Sequence, residues 1–104
     1  MLLKVFSIYD VAAEAFLPPF YLAKTAQAVR SFSQHCQDPN TAFYKSPKDY
    51  TLYEVATFDD ANCSFSPYEH HQLLLNGAKL PTADYLVNQV DLEQAIKEKT
   101  NGTA

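Results

Sequence analysis

Apolar and polar residues change their period several times along the chain, and each change marks an element. Over residues 2–9, Leu3, Val5 and Tyr9 fall on one face of a strand and Phe6 and Ile8 on the other, interrupted by Lys4. Apolar residues on both faces predict a central strand, which Asp10 ends. Residues 13–17 read as a short second strand, stopped by Pro18-Pro19 because proline cannot donate to a ladder. Thr25 is the predicted N-cap of a helix over 25–36, where Ala26, Val29, Phe32 (with Ser33) and Cys36 repeat at helical spacing. Gln27, Arg30, Ser31 and Gln34 then face outward. Asp38-Pro39-Asn40 stops the helix, since the residue before a proline avoids helical geometry. A loop carrying Lys45, Pro47 and Lys48 around Ser46 follows to Asp49.

The clearest strand covers 50–58, with Leu52, Ala56 and Phe58 alternating with Tyr53 and Val55. Asp59-Asp60-Ala61-Asn62 is a turn, and 63–65 is expected to pair back as a hairpin. Residues 68–75 fit helix and strand alike, and Asn76-Gly77 marks their end. Asp91 opens a last helix with Gln94 placed as in a capping box, a narrow edge of Leu92, Ala95 and Ile96, and a Glu93–Lys97 pair. Asn101-Gly102 stops it.

These elements predict an α+β fold: a small, three- or four-stranded, mainly antiparallel sheet with one helix packed across a face and a short C-terminal helix. At 104 residues the chain is expected to form a single domain over 1–104, without a second core or an internal repeat. So few elements leave a sheet edge or an apolar face uncovered, which predicts a homodimer.

Composition narrows the function classes. Seven tyrosines and seven phenylalanines stand against two glycines, so the chain favours strands and packed faces and lacks the backbone positions of phosphate loops. Gly77 and Gly102 alone exclude a P-loop, a dinucleotide fingerprint and a Gly-x-Ser-x-Gly turn. The net charge of −4 argues against a histone-like coat for nucleic acid and leaves room for a local basic patch. The opening residues read as no secretory signal, and no apolar run reaches the roughly 20 residues of a membrane span. Cys36 and Cys63 are accordingly expected to be reduced, partly buried thiols in a cytoplasmic protein.

His35, Cys36, Cys63, His70 and His71 are all the histidines and cysteines in the chain. Neighbours on a helix or strand point apart, so neither His35-Cys36 nor His70-His71 aims both members at one metal ion. Cys36 is expected on the inner helix face and the histidines at the surface. A Cys–His nucleophilic pair would need a depressed thiol pKa and an orienting third group, and nothing singles out either thiol. Asp59-Asp60, with Asp49 and Glu54, matches no calcium loop and reads as local capping of a strand end. Glu54 lies either on a solvent face or paired with a cation such as Lys4 across the sheet. No enzyme, metal or cofactor is expected. Tyr44, Lys45, Lys48, Tyr50 and Tyr53 interleave cations and aromatics as single-strand binders do, with Lys24 and Arg30 on or beside the first helix. Tyrosines that merely cover the sheet explain Tyr50 and Tyr53 equally.

Several stretches, in order, resemble the small non-structural protein family of gokushoviruses, icosahedral phages of the Microviridae with single-stranded DNA genomes. They are 4–10 (KVFSIYD), 13–20 (AEAFLPPF), 28–32 (AVRSF), Asp38-Pro39 and 49–59 (DYTLYEVATFD). The resemblance covers a core of 1–60 and fades over 61–104. It implies a protein made in the bacterial host cytoplasm and absent from the mature virion, with a role in phage DNA replication, in the switch to single-stranded genome synthesis and in packaging. It brings no catalytic motif. The expected function is binding of single-stranded DNA, or of a phage or host replication or packaging component, through Lys24, Arg30, Tyr44, Lys45 and Lys48. Arg30 leads this set, as a cation on a polar helix face with no packing duty. The alternative is a scaffold or host-interaction protein working by protein contact alone. Its exposed apolar patch is expected near Phe20-Tyr21 or Tyr85-Leu86-Val87.

Overall fold

A computed structural model describes residues 1–79. Its elements are β1 (Leu2–Asp10), β2 (Ala15–Phe16), β3 (Phe20–Leu22), α1 (Thr25–Cys36), α2 (Ala42–Lys45), β4 (Tyr50–Asp59) and β5 (Ser64–Asn76), with 3₁₀ turns at Pro47–Asp49 and Gly77–Lys79. The fold is α+β, with a five-stranded antiparallel sheet and one main helix. The predicted helix from Asp91 lies outside the described residues.

β1 is central, as its two-sided apolar pattern predicts. β4 pairs along one edge, and β2 and β3 share the other in two short pieces. The edge strand is broken where Pro18-Pro19 cannot donate, so the predicted strand over 13–17 shrinks to Ala15–Phe16 and pairing resumes at Phe20. β4 in turn pairs with β5, which runs for 13 residues, far beyond the predicted partner over 63–65. The ambiguous segment over 68–75 is therefore strand. The predicted loop before β4 contains α2, whose N-cap Thr41 accepts from the Tyr44 amide at 3.2 Å.

The first helix forms where predicted, one residue displaced at its start. Lys24 is the N-cap, with its backbone amide donating to Gln27 Oε1 at 3.2 Å, and Thr25 is the first helical residue. Ala28, Val29, Phe32, Ser33 and Cys36 are buried against Phe6, Ile8 and Leu52 of the sheet. Each large apolar side chain buried in this way contributes about 1.5–3 kcal/mol. Phe43 of α2 extends the layer, its ring 4.7 Å from Tyr50 and 6.0 Å from Phe32.

The alternation of β4 against β1 is broken at one place. Val5 stands opposite Ala56 and Phe6 opposite Glu54, leaving Val55 as an extra residue in β4. The register therefore puts Leu52 and Glu54 on the helix side, with Phe6 and Ile8, and Ala56 and Phe58 on the opposite side, with Val5 and Leu3. Leu52, Ala56 and Phe58, which strict alternation places together, are thus divided between two faces. β5 answers with a larger irregularity, Tyr68, Glu69, His70 and His71 standing against Val55 alone.

The same bulge turns Glu54 inward, where it is only 4% exposed. It is neither on a solvent face nor in direct contact with Lys4. Thr25 Oγ1 donates to its Oε1 at 2.6 Å, the Tyr68 hydroxyl donates to its Oε2, and Lys4 Nζ donates to Thr25 Oγ1 at 2.9 Å. A buried carboxylate is tolerated when its oxygens accept strong donors. This chain also fastens the start of α1 to three strands. At the other end of the sheet, Gly77 lies so close to the turn before β4 that a Cβ there would meet the Pro47 carbonyl oxygen at 2.3 Å.

Two outcomes follow for stability. Thr25→Val keeps the shape of the side chain and removes one donor to Glu54, so urea unfolding should show a loss of about 1–3 kcal/mol. Burial, followed by the bond to Glu54 and its charge, raises the Tyr68 pKa from 10.0 to about 12. The folded value lies above the unfolded one, so the stabilisation is complete below pH 10 and is lost as pH rises toward about 12. Tyr68→Phe should flatten the fall in the urea midpoint across that window, whereas an unchanged slope would remove the hydroxyl from the account.

Candidate functional site

Among the described residues the sheet has one covered face and one open face, and each carries a distinct set of exposed side chains. On the covered side, Lys24 sits at the N-cap of α1, and Arg30 projects from the exposed side of that helix. Tyr44 and Lys45 lie in α2, and Lys48 in the 3₁₀ turn that follows; all three are exposed. The Thr41 hydroxyl donates to the His35 carbonyl at 2.7 Å and so ties α2 to the end of α1. Asn76 of β5 fixes the Lys48 turn, its Nδ2 donating to the carbonyl oxygens of Lys48 and Tyr50 and to Thr51 Oγ1 at 2.9–3.2 Å.

The structure therefore brings Tyr44, Lys45 and Lys48 together beyond the C-terminal end of α1. Lys24 lies at the other end of the helix, about 18 Å away along its axis at 1.5 Å per residue, and Arg30 lies between. The set is a track along the helical layer, with no ion pair to any of its cations among the described residues. Tyr50 and Tyr53 do not join it. Tyr50 packs edge-on against Phe43, and Tyr53 is on the opposite side of the sheet, 5.7 Å from Phe16.

The open face is aromatic. Phe16 of the edge strand reaches across β1, its ring 4.9 Å from Tyr9, 5.7 Å from Tyr53 and 5.3 Å from His71. Tyr21 reaches across in the same way to Phe58 at 5.4 Å and Phe65 at 6.4 Å. Rings laid over β1 explain how Val5 and Ser7 are buried with no second layer above them among the described residues. The rings themselves stay in contact with solvent: Phe16 is 42% exposed, Tyr21 39% and Phe65 54%, and Leu73 beside them is 63% exposed. Beside the Phe16 cluster lies an open groove of about 480 Å³ bounded by Ser7, Phe16, Pro19, Val55 and His71. Of the expected Phe20-Tyr21 patch only Tyr21 belongs here, since Phe20 stacks on Phe6 on the helix side at 5.6 Å. Tyr85-Leu86-Val87 lies outside the described residues.

The sequence points to this face only through the odd positions of β1. The aromatic edge residues and the bulged half of β4 complete it through long-range pairing, which a linear pattern does not carry.

The histidines and cysteines do not converge. Cys36 is buried beneath α1, while Cys63 is exposed in the β4–β5 turn with a positive φ of 59°. The expectation of two partly buried thiols therefore fails at Cys63, which closes a tight turn. His35 and His70 are exposed, and His71 lies in the aromatic cluster. Among the described residues no group of three His, Cys, Asp or Glu side chains could hold a metal ion. Asp59 Oδ1 accepts from the Ala61 amide at 3.0 Å, a local turn contact, and Asp60 pairs with the N-terminal amine at 2.6 Å.

The described residues thus define a small helix-on-sheet protein with a cationic track on its covered side and an aromatic surface on its open one. The chain belongs to the Phage ORF5 protein family, which it matches over residues 3–80, three quarters of its length. The match runs past Asp60 and through all of β5, so the open face lies within the family region. No curated protein and no solved structure matches the chain. It is a phage protein, and among its described residues no helix is long and apolar enough to cross a membrane.

Burial raises the Cys36 pKa from 9.0 to about 11, which leaves little thiolate at neutral pH. An aromatic disulfide reagent should therefore titrate one thiol per folded chain promptly, and the second only as urea unfolds the protein. Cys63→Ser should abolish the prompt phase, and two prompt thiols in the parent chain would contradict the buried position of Cys36.

Proposed function

We propose that the protein binds single-stranded DNA, or a component of the phage replication or packaging machinery, during genome synthesis. It does so as a non-catalytic protein in the host cytoplasm that stays out of the mature virion, in line with its resemblance to the non-structural proteins of gokushoviruses. The observation that carries this reading is the track of Lys24, Arg30, Lys45 and Lys48, with exposed Tyr44 among them. These cations are solvent-exposed, free of ion pairs among the described residues and confined to the helical layer. An extended strand of phosphates fits such a track better than a compact ligand does, because the cations are strung along α1. Tyr44 supplies a face for one base, and a stacked base contributes about 1–3 kcal/mol. The net charge of −4 confines any such binding to this local surface.

A second reading rests on a different observation, the open apolar face, and makes the protein a scaffold or host-interaction partner working by protein contact alone.

Fluorescence anisotropy of a labelled single-stranded oligonucleotide, titrated at low and near-physiological salt, separates the two. Four neutralised phosphates should give a slope of log K against log salt of about −3, since each contributes about −0.7 on single strands. Arg30→Glu and Lys48→Glu should weaken binding and flatten that slope while leaving the urea midpoint in place. Absence of binding at low salt, where phosphate attraction is strongest, would set the DNA reading aside in favour of protein contact.

A further inference from the structure

We infer that a second copy of this chain covers the open sheet face, so that the protein is a two-fold dimer with its sheets packed face to face. This goes beyond the binding role of the helical layer and rests on other residues.

Charge is the first argument. No Lys, Arg, Asp or Glu falls at a paired position that the strand register assigns to this face, although the chain carries eight basic and 12 acidic residues; Glu69, in the unpaired stretch of β5 beside His71, is the acid nearest to it in sequence. Two chains of net charge −4 repel each other through most approaches, and an uncharged face is where that repulsion costs least. The same absence of cations makes the face unsuited to a phosphate backbone, which needs Lys or Arg to displace its counterions.

Area is the second. An aromatic side chain has roughly 150–250 Å² to bury, so seven partly exposed rings with Leu73 present on the order of 600 Å². That is the upper end of what monomers leave exposed. It approaches the ~800 Å² per partner of a standard protein interface.

Shape is the third. The Phe16 cluster lines the groove at Ser7 and Val55, and the strand register sets Tyr21, Phe58 and Phe65 further along the same face, at Val5 and Leu3, giving a ridge–groove–ridge order along the sheet. A two-fold axis over the groove lets a ridge of each copy approach the groove of the other, as facing sheets interdigitate at a spacing of about 10 Å. The pairing is isologous and closed, so it ends at two chains. It also leaves Lys24, Arg30, Lys45 and Lys48 free on both outer sides of the pair.

Sedimentation equilibrium of the full chain tests this, with Phe65→Glu and Leu73→Glu as two independent probes on β5. Both side chains are mostly exposed within one chain, so neither substitution should disturb the monomer's fold, which far-ultraviolet circular dichroism checks. The parent protein should approach twice the chain mass of 11.7 kDa. Each variant should raise the dimer dissociation constant by about 30-fold or more, the effect of disrupting an interface hot spot. A parent protein that stays monomeric across the concentration range overturns the proposal. So does a dimer that neither variant weakens, because the contact then lies elsewhere, for instance at the β5 edge. Loss of oligonucleotide affinity in both variants of a monomeric protein would overturn it too, and would give the face to nucleic acid.

Discussion

Val55 is one residue more than β4 needs to pair with β1, and much of the molecule depends on where that residue is absorbed. With an unbroken alternation, Leu52, Glu54, Ala56 and Phe58 would all point under the helix. The bulge ends the helix-facing run at Glu54 and sends Ala56 and Phe58 to the other side. Glu54 thereby becomes the last helix-side residue of β4 before the break, placed against the first turn of α1, where Thr25 reaches it at 2.6 Å. The position of α1 on the sheet and the existence of a second aromatic face thus share one cause. A buried carboxylate held by two hydroxyl groups is costly to leave half-satisfied. It therefore acts as a register lock: slipping β4 by one residue would point Glu54 at the open face and orphan its donors.

The two faces that result are stabilised differently. Under α1 the core is closed, with Phe6, Phe32 and Leu52 essentially inaccessible to solvent. On the open side the layer is a single thickness of rings, which shield Val5 and Ser7 while exposing themselves. A domain of this size has little margin beyond its one core, so an aromatic surface on the second side keeps solvent exposure that association could remove. The cations, by contrast, are placed where they add nothing evident to stability. Exposed charges of this kind typically contribute a few tenths of a kcal/mol when paired, and these have no partner among the described residues.

The local signals in the sequence were sound, and the long-range ones were out of its reach. The helix stripe of Val29, Phe32 and Cys36 and the two-sided apolar pattern of β1 are read within a single turn or strand, and both appear in the fold. β5 was obscured because its irregularity at Tyr68, Glu69, His70 and His71 interrupts the period-two pattern that marks a strand. The Val55 bulge left no compositional trace, being a β-branched residue in a strand like any other. Among the candidate residues, exposure of Arg30 and Lys48 followed from their polar surroundings. That Tyr53 sits away from Tyr44 and Lys45 follows only from which side of the sheet each element occupies. The aromatic cluster of Phe16, Tyr53 and His71 draws on three strands far apart in sequence, so no spacing rule could have assembled it.

An acidic protein can still engage a polyanion if its charges are sorted, and here the fold does part of the sorting. Asp59 ends β4 and Asp60 begins the turn to β5, at the opposite end of β4 from Tyr50 and the Lys48 turn that precedes it. Asp49 and Asp10 remain near that end and temper the potential there, which raises the Tyr50 pKa in addition to the larger effect of burial. A ligand drawn to this surface would therefore respond to the local cations at short range and to the net charge of the whole protein at long range. Salt screens both, but the distant repulsion is screened first, because it acts across more than one Debye length. Attraction at the track and repulsion from the rest of the molecule should then weaken at different salt concentrations. Affinity should then fall with added salt less steeply at the low end, where repulsion from the rest of the molecule is being screened away, than near physiological salt, where only the track's own attraction is left to lose.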